Sequence, residues 1–136
     1  MKNLVNLAIE QIEKSYSPYS NFAVGCALLA ENGEIYTGSN IENAAFSPTL
    51  CAERVAFANA IHAGNRNFKA IAIAGFKKDE EEGHTFPCGM CRQTMAEFVE
   101  KDFELYIAKN RKGEYTKHTF SELLPYSFGK SDITIS

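Results

Sequence analysis

The sequence has no run of about 18 apolar residues, the length a helix needs to cross a bilayer, so no membrane span is expected. It also lacks an excess of basic charge. Fourteen Lys and Arg against seventeen Asp and Glu leave a net charge of -3, with a pI near 5.6, and the basic residues are scattered rather than massed on one segment. That removes any sequence-independent attraction to phosphate backbones or anionic lipid, so neither a nucleic acid polymer nor a membrane is expected as a partner. The opening stretch MKNLVNLAIEQIEK interrupts its apolar positions with Asn6, Glu10, Gln11 and Glu13, and so lacks the continuous apolar core of a secretory signal. Four cysteines in such a chain are expected to be thiols or metal ligands in the reducing cytoplasm, not disulfides. Internal repeats, low-complexity runs, linkers and a Gly-rich phosphate loop are missing as well.

What is present has the composition of an ordinary globular domain, with 45% hydrophobic and 23% charged residues over 136 positions. One domain over 1–136 is the expectation. Val5, Ala8, Ile9 and Ile12 recur at helical spacing, so the N-terminal segment is predicted to be an amphipathic helix. Two β-prone segments then flank Asn32-Gly33, which supplies the positive φ of a tight hairpin turn. CAERVAFANAIHAGN is read as a buried helix ending at Gly64, and the nearly uninterrupted apolar run KAIAIAGF as a central strand covered on both faces. PCGMCRQTMAEFVEK opens a further helix at Pro87, and ELYIAKN and EYTKHT read as strands around Gly113, followed by a short helix ended by Pro125. The order predicts an α/β fold: a three-layer α/β/α sandwich around a mixed, roughly five-stranded sheet.

Chemistry concentrates in two stretches, SPTLCAERVAF and FPCGMCRQTM. Cys88 and Cys91 sit in one first turn, so both sulfurs can point the same way. Cys51 opens the other helix, and a crossover through the central strand can bring the two helix starts together at one edge of the sheet. A CxxC pair alone is equally compatible with a redox couple. Three thiolates on zinc would leave a fourth, water-holding position open, as in catalytic sites. Three negative sulfurs oppose acidification of that water, so charge must be drawn from them by the two helix N-termini, by Arg54 or by Arg92. Glu53, two residues past a ligand, is placed to shuttle a proton. Cys26, on a strand, is expected to be a buried small hydrophobe; as a fourth ligand it would close the metal and make the chain a non-catalytic module with structural zinc. His62, His84 and His118 have no ligand spacing.

CAE followed by PCGMC resembles the zinc deaminase signature. With YSPYSNFAVGCALL, TGSNIENAAF, CAER, PCGMCRQ and ELLP in order, the chain from about residue 11 to residue 129 is similar to the small three-cysteine cytidine deaminases. The resemblance implies one Zn2+ per subunit on Cys51, Cys88 and Cys91, and hydrolysis of cytidine and deoxycytidine to their uridine counterparts with release of ammonia, in pyrimidine salvage. In that scheme Glu53 takes a proton from the zinc-bound water, protonates ring N3 and later delivers a proton to the leaving ammonia. Asn40 and Glu42 would hold the ribose, Phe22 would stack on the base, and the backbone near Ala52 and Phe86 would bond to it. Arg54 would support the sulfurs. The family also implies a homotetramer in which an aromatic near the C-terminus, here Phe128, reaches a neighbouring subunit. Phe46 stands where many relatives have Tyr, Cys26 stands where a small residue is expected, and the acidic loop 77–85 is longer than usual. The rival within the family is a deaminase of a modified cytosine nucleoside such as blasticidin S. Those relatives lack the glutamate equivalent to Glu42.

Overall fold

A computed structural model describes residues 1–134. Helix α1 (Lys2–Glu10) continues as a 3-10 turn (Gln11–Lys14) and leads into the hairpin β1 (Phe22–Ala30) and β2 (Ile35–Ser39). Helix α2 (Ala52–His62), strand β3 (Phe68–Lys77), helix α3 (Gly89–Phe98), strands β4 (Glu104–Ala108) and β5 (Tyr115–Thr119), and helix α4 (Phe120–Leu123) follow. The five strands form one sheet in the order β2-β1-β3-β4-β5. Only β3 and β4 pair in parallel; the other neighbours are antiparallel.

Alternation along β3 separates the two faces. Ala70, Ala72, Ala74 and Phe76 meet Leu4, Val5 and Ala8 of α1. Ile71 and Ile73 meet Ala56, Phe57 and Ala60 of α2 and Met95 of α3. The uninterrupted apolar run therefore serves two cores at once, as the sequence predicts for a strand covered on both sides. Phe57 anchors the second core, edge-on to Phe68 at 5.1 Å and stacked with Phe98 at 6.2 Å between centroids. Truncating it to Ala removes about 3–5 kcal/mol of stability.

Local details refine the sequence reading. In the β1–β2 hairpin only Gly33 takes a positive φ, at +92°, with Asn32 on the ordinary side. Gly64 does adopt the left-handed conformation that ends α2. Helix α3 begins two residues later than Pro87 suggests, at Gly89: Cys88 is its N-cap and Pro87 precedes the cap. Gly38 is needed for space, since a Cβ there would lie 2.3 Å from the Ala52 carbonyl oxygen. Its absence lets the first turn of α2 rest on β2.

Topology then collects the ends. Helix α2 runs back toward the start of β3 and α3 leaves from its end, so both helices begin at the carboxyl end of β3. Strand β1 is antiparallel to β3 with Phe22 opposite Lys77, which brings the start of β1 to the same edge. The end of β2 lies beside it, with Gly25 opposite Ser39. Crevices at the carboxyl ends of strands in open α/β sheets are where ligands bind.

Candidate metal and substrate site

Cys51 and Cys88 are the N-caps of α2 and α3, in extended backbone conformation, and Cys91 lies in the first turn of α3. Their sulfurs converge: Cys51 Sγ to Cys88 Sγ and Cys88 Sγ to Cys91 Sγ are both 3.7 Å, and all three lie within 4.8 Å of one another. Three sulfurs at tetrahedral angles and 2.3 Å from one zinc ion lie about 3.8 Å apart, so the cluster fits that ion. Soft thiolate donors favour zinc over hard cations. Among the described residues no fourth His, Cys, Asp or Glu completes the group. Cys26 lies apart from it, its buried Sγ–H donating to the Ala52 carbonyl oxygen at 3.1 Å. That contact ties the start of α2 to β1.

Arg54 supports the cluster directly. Its Nη2 donates to the Thr49 carbonyl oxygen at 3.0 Å and to Cys51 Sγ at 3.8 Å. Donation from the Cys91 thiol, with Arg54 and Cys88 adding to it, holds the Cys51 thiol down at about 5. Sharing its proton with Cys51 and being buried push Cys91 the other way. Neither Cys51 nor Cys88 uses its side chain to cap its helix, so Arg54 rather than a helix amide is the close donor to sulfur. Arg92, the other cation beside the cysteines, is committed elsewhere. Its Nε and Nη1 donate to the Pro87 and Leu123 carbonyl oxygens, both at 2.7 Å, and clamp the end of α4 to the start of α3.

Glu53 follows Cys51 by two residues in the first turn of α2 and is only 4% exposed. Burial pushes its carboxyl up to about 7, and the negative charge on Cys51 adds to the rise, against its own backbone N–H, the Cys91 thiol and Arg54. A carboxyl poised near neutrality beside three thiols can take and return a proton at physiological pH.

The remaining predicted residues form an interlocked group around the start of β1. Asn40 is buried, its Oδ1 accepting from Val24 N at 2.9 Å and from the Ser15 hydroxyl, its Nδ2 donating to the Phe22 carbonyl oxygen at 2.9 Å. One Nδ2–H is left over. Glu42 is half-buried; Oε1 accepts Tyr19 N at 2.9 Å and Ser20 N at 3.2 Å, and Oε2 accepts the Ser20 hydroxyl. Burial is the largest single influence and raises the carboxyl, but the three bonds together, the Ser20 hydroxyl foremost, bring it below its usual range. A cleft of about 440 Å³ lined by Tyr19, Ser20, Glu42, Phe46 and Thr49 opens at this point. Phe22 is half-buried and Ala52 fully buried. Phe46, in a left-handed conformation with φ +62°, projects into solvent at 70% exposure and meets Tyr19 edge-on at 6.2 Å. Phe86 lies between His84 and His118, 4.7 and 5.0 Å away, and both imidazoles bond to Thr116.

Sequence reasoning does not reach Ser15, Ser20 or Thr49. Each acts on a partner through a hydroxyl or carbonyl whose location depends on the fold; Ser20 and Thr49 lie inside the quoted motifs, but nothing there assigns them these partners. The acidic loop 77–85 is exposed as expected, but Arg111 secures it, donating from Nε to the Glu80 carbonyl oxygen at 2.7 Å and lying over the Phe76 ring.

Three converging thiols with a buried acid beside them, set at the strand ends of an α/β sandwich, are the equipment of a metal-dependent hydrolase. Residues 1–107 match the cytidine and deoxycytidylate deaminase zinc-binding region, and the chain belongs to that family. It is 48% identical to a cytidine deaminase of Sporosarcina psychrophila over 90% of this chain and 86% of the relative. It is 42% identical to a cytidine deaminase of Halalkalibacterium halodurans over 96% and 95%. The crystal structure of cytidine deaminase from Burkholderia pseudomallei superposes with a TM-score of 0.83 at 39% identity, covering 93% of this chain and 97% of that one. A blasticidin-S deaminase of Bacillus cereus stands further off, at 29% identity over 94% and 91%. Among the described residues no helix is long and apolar enough to cross a membrane.

Proposed function

We propose that residues 1–136 form a single domain that hydrolyses cytidine and deoxycytidine to uridine and deoxyuridine, releasing ammonia. The observation that carries this reading is the buried Glu53 carboxyl, raised to about 7, next to the three-sulfur cluster. Cys51, Cys88 and Cys91 would hold zinc, which when bound supplies the Lewis acidity that makes water a nucleophile near neutral pH. Glu53 takes a proton from the attacking water and delivers one to ring N3. As the C4–O bond forms and the C4–N bond breaks, it passes a second proton to the departing nitrogen. Arg54 withdraws charge from Cys51, which keeps three thiolates compatible with that chemistry. The free Nδ2–H of Asn40 donates to a sugar hydroxyl. The ionised Glu42 accepts a hydroxyl proton, since a carboxylate offers only acceptors. Phe22 supplies a flat face for the pyrimidine, and the backbone at Ala52 and Phe86 meets its polar edge.

Exposed Tyr16, Tyr19, Ile41, Phe46 and Leu50 cluster on adjoining loops beside the cleft, joined by the Tyr16–Ile41 and Ile41–Leu50 bridges. An apolar patch of this kind supports assembly of copies, read here as a homotetramer with Phe128 directed at a neighbour. Four free cysteines and a site that works only with reduced thiols support a cytoplasmic setting and a place in pyrimidine salvage.

The test is the ultraviolet change of cytidine with purified zinc-loaded protein, with mass measured by light scattering. Cytidine is consumed and the mass corresponds to four chains. Inert cytidine with consumption of blasticidin S would replace the substrate assignment with that of the modified-nucleoside deaminases.

A further inference from the structure

We propose that Ser20 is a positioning residue for nucleoside binding, its one hydroxyl fixing the sugar-contacting carboxylate of Glu42 relative to the ring-contacting Phe22. The proposal rests on the roles given above to Glu42 and Phe22. Ser20 Oγ donates to Glu42 Oε2 and accepts the Phe22 backbone N–H at 3.0 Å. A hydroxyl carries one donor and two acceptor positions, so it can serve both partners at once. Asn21, with φ +56°, supplies the left-handed turn that carries the chain from Ser20 to Phe22.

Without this hydroxyl Glu42 would keep only the two backbone donors on Oε1. A carboxylate held by one oxygen pivots about that oxygen, and on the wall of an open cleft water competes for the other. Holding both oxygens fixes the plane of the group and therefore the direction of the lone pair left for a ligand. Phe22 is secured symmetrically: its N–H is tied to Ser20, and through it to Glu42, while its carbonyl is tied to Asn40. Sugar recognition and ring recognition thus share one rigid frame, and Ser20 is its exposed joint.

Steady-state kinetics of wild type, Ser20→Ala and Ser20→Thr test this. In Ser20→Ala the KM for cytidine rises on the order of 10-fold while kcat stays within about 3-fold, because the change acts on binding through Glu42 rather than on the proton shuttle. Selectivity for cytidine over 2′,3′-dideoxycytidine, which lacks the hydroxyl Glu42 would accept, falls by a similar factor; the dideoxy compound is measured as a competitor, so its Ki is read even if its turnover is slow. Ser20→Thr restores both values. If Ser20→Ala loses zinc or fails to fold, Ser20→Cys, nearly isosteric and a weaker donor, replaces it with the same expected direction. Unchanged selectivity, or a fall in kcat at constant KM, overturns the proposal while leaving the deaminase reading intact. Failure of the wild type on cytidine removes both.

Discussion

A methyl group at Gly38 tests how the fold positions the metal ligands. The added Cβ of Gly38→Ala would lie 2.3 Å from the Ala52 carbonyl oxygen and 2.7 Å from Ala56 N, both backbone atoms of α2. Ordinary contact begins near 3.4 Å, so the first turn of α2 must retreat by about 1.1 Å from β2, or the strand must yield by as much. That turn carries Cys51 and Glu53, and its Ala52 carbonyl is the acceptor for Cys26. A shift of about 1 Å is large against sulfur separations of 3.7 Å, and a displacement of that size in catalytic groups costs roughly 10²-fold in rate. Overpacking of this kind also costs about 1–3 kcal/mol of stability. The assay combines metal content per chain, thermal unfolding and cytidine turnover. Gly38→Ala is expected to melt lower, bind zinc more weakly and lose turnover on the order of 10²-fold. Full metal content with wild-type turnover and an unchanged melt would refute the claim that this close approach sets the position of α2.

Glu53→Gln is expected to retain zinc and lose on the order of 10² to 10⁴ in turnover, read from the same spectral assay alongside a metal determination. Its pH dependence has a definite sign. A carboxyl raised from 4.5 to about 7 binds more protons folded than unfolded between those values, so its contribution favours folding below about 4.5 and is lost as pH climbs toward 7. For chelator-treated protein, the stability of wild type relative to Glu53→Gln should therefore decline by about 3 kcal/mol across that window in denaturant titrations. Arg54→Ala removes a donor to Cys51, so the pH midpoint for alkylation of Cys51 in chelator-treated protein moves upward from about 5; an unmoved midpoint would exclude Arg54 as a source of that depression.

The parts of the site legible in the sequence were those encoded locally. Cys51 and Glu53 share one helical turn, and Cys88 and Cys91 share another, so spacing fixes which side chains can face a common point. The sheet was legible because KAIAIAGF reads as a strand with two dry faces, and it has them. Long-range polar contacts were not legible. Ser15 reaches Asn40, and Ser20 reaches Glu42, across more than twenty positions, and nothing in a serine's neighbours announces such a partner. Arg92 shows the converse: adjacency to Cys91 suggested electrostatic work on sulfur, while the carbonyls that claim its guanidinium include Leu123, thirty-one positions away. Long flexible side chains are poorly placed by sequence neighbours because they span several ångströms to whichever acceptor burial leaves unsatisfied.

The three sulfurs come from two helices whose segments are separated in the chain by β3. Strand β3 also separates β1 from β4 in the sheet. The chelate is therefore discontinuous, and no fragment that ends before α3 contains it. Metal uptake becomes a reporter of tertiary assembly: the thiol cluster closes only when the starts of α2 and α3 have been brought side by side. An alkylating agent added at intervals would time that closure sulfur by sulfur, with Cys51 protected only once the second helix has docked.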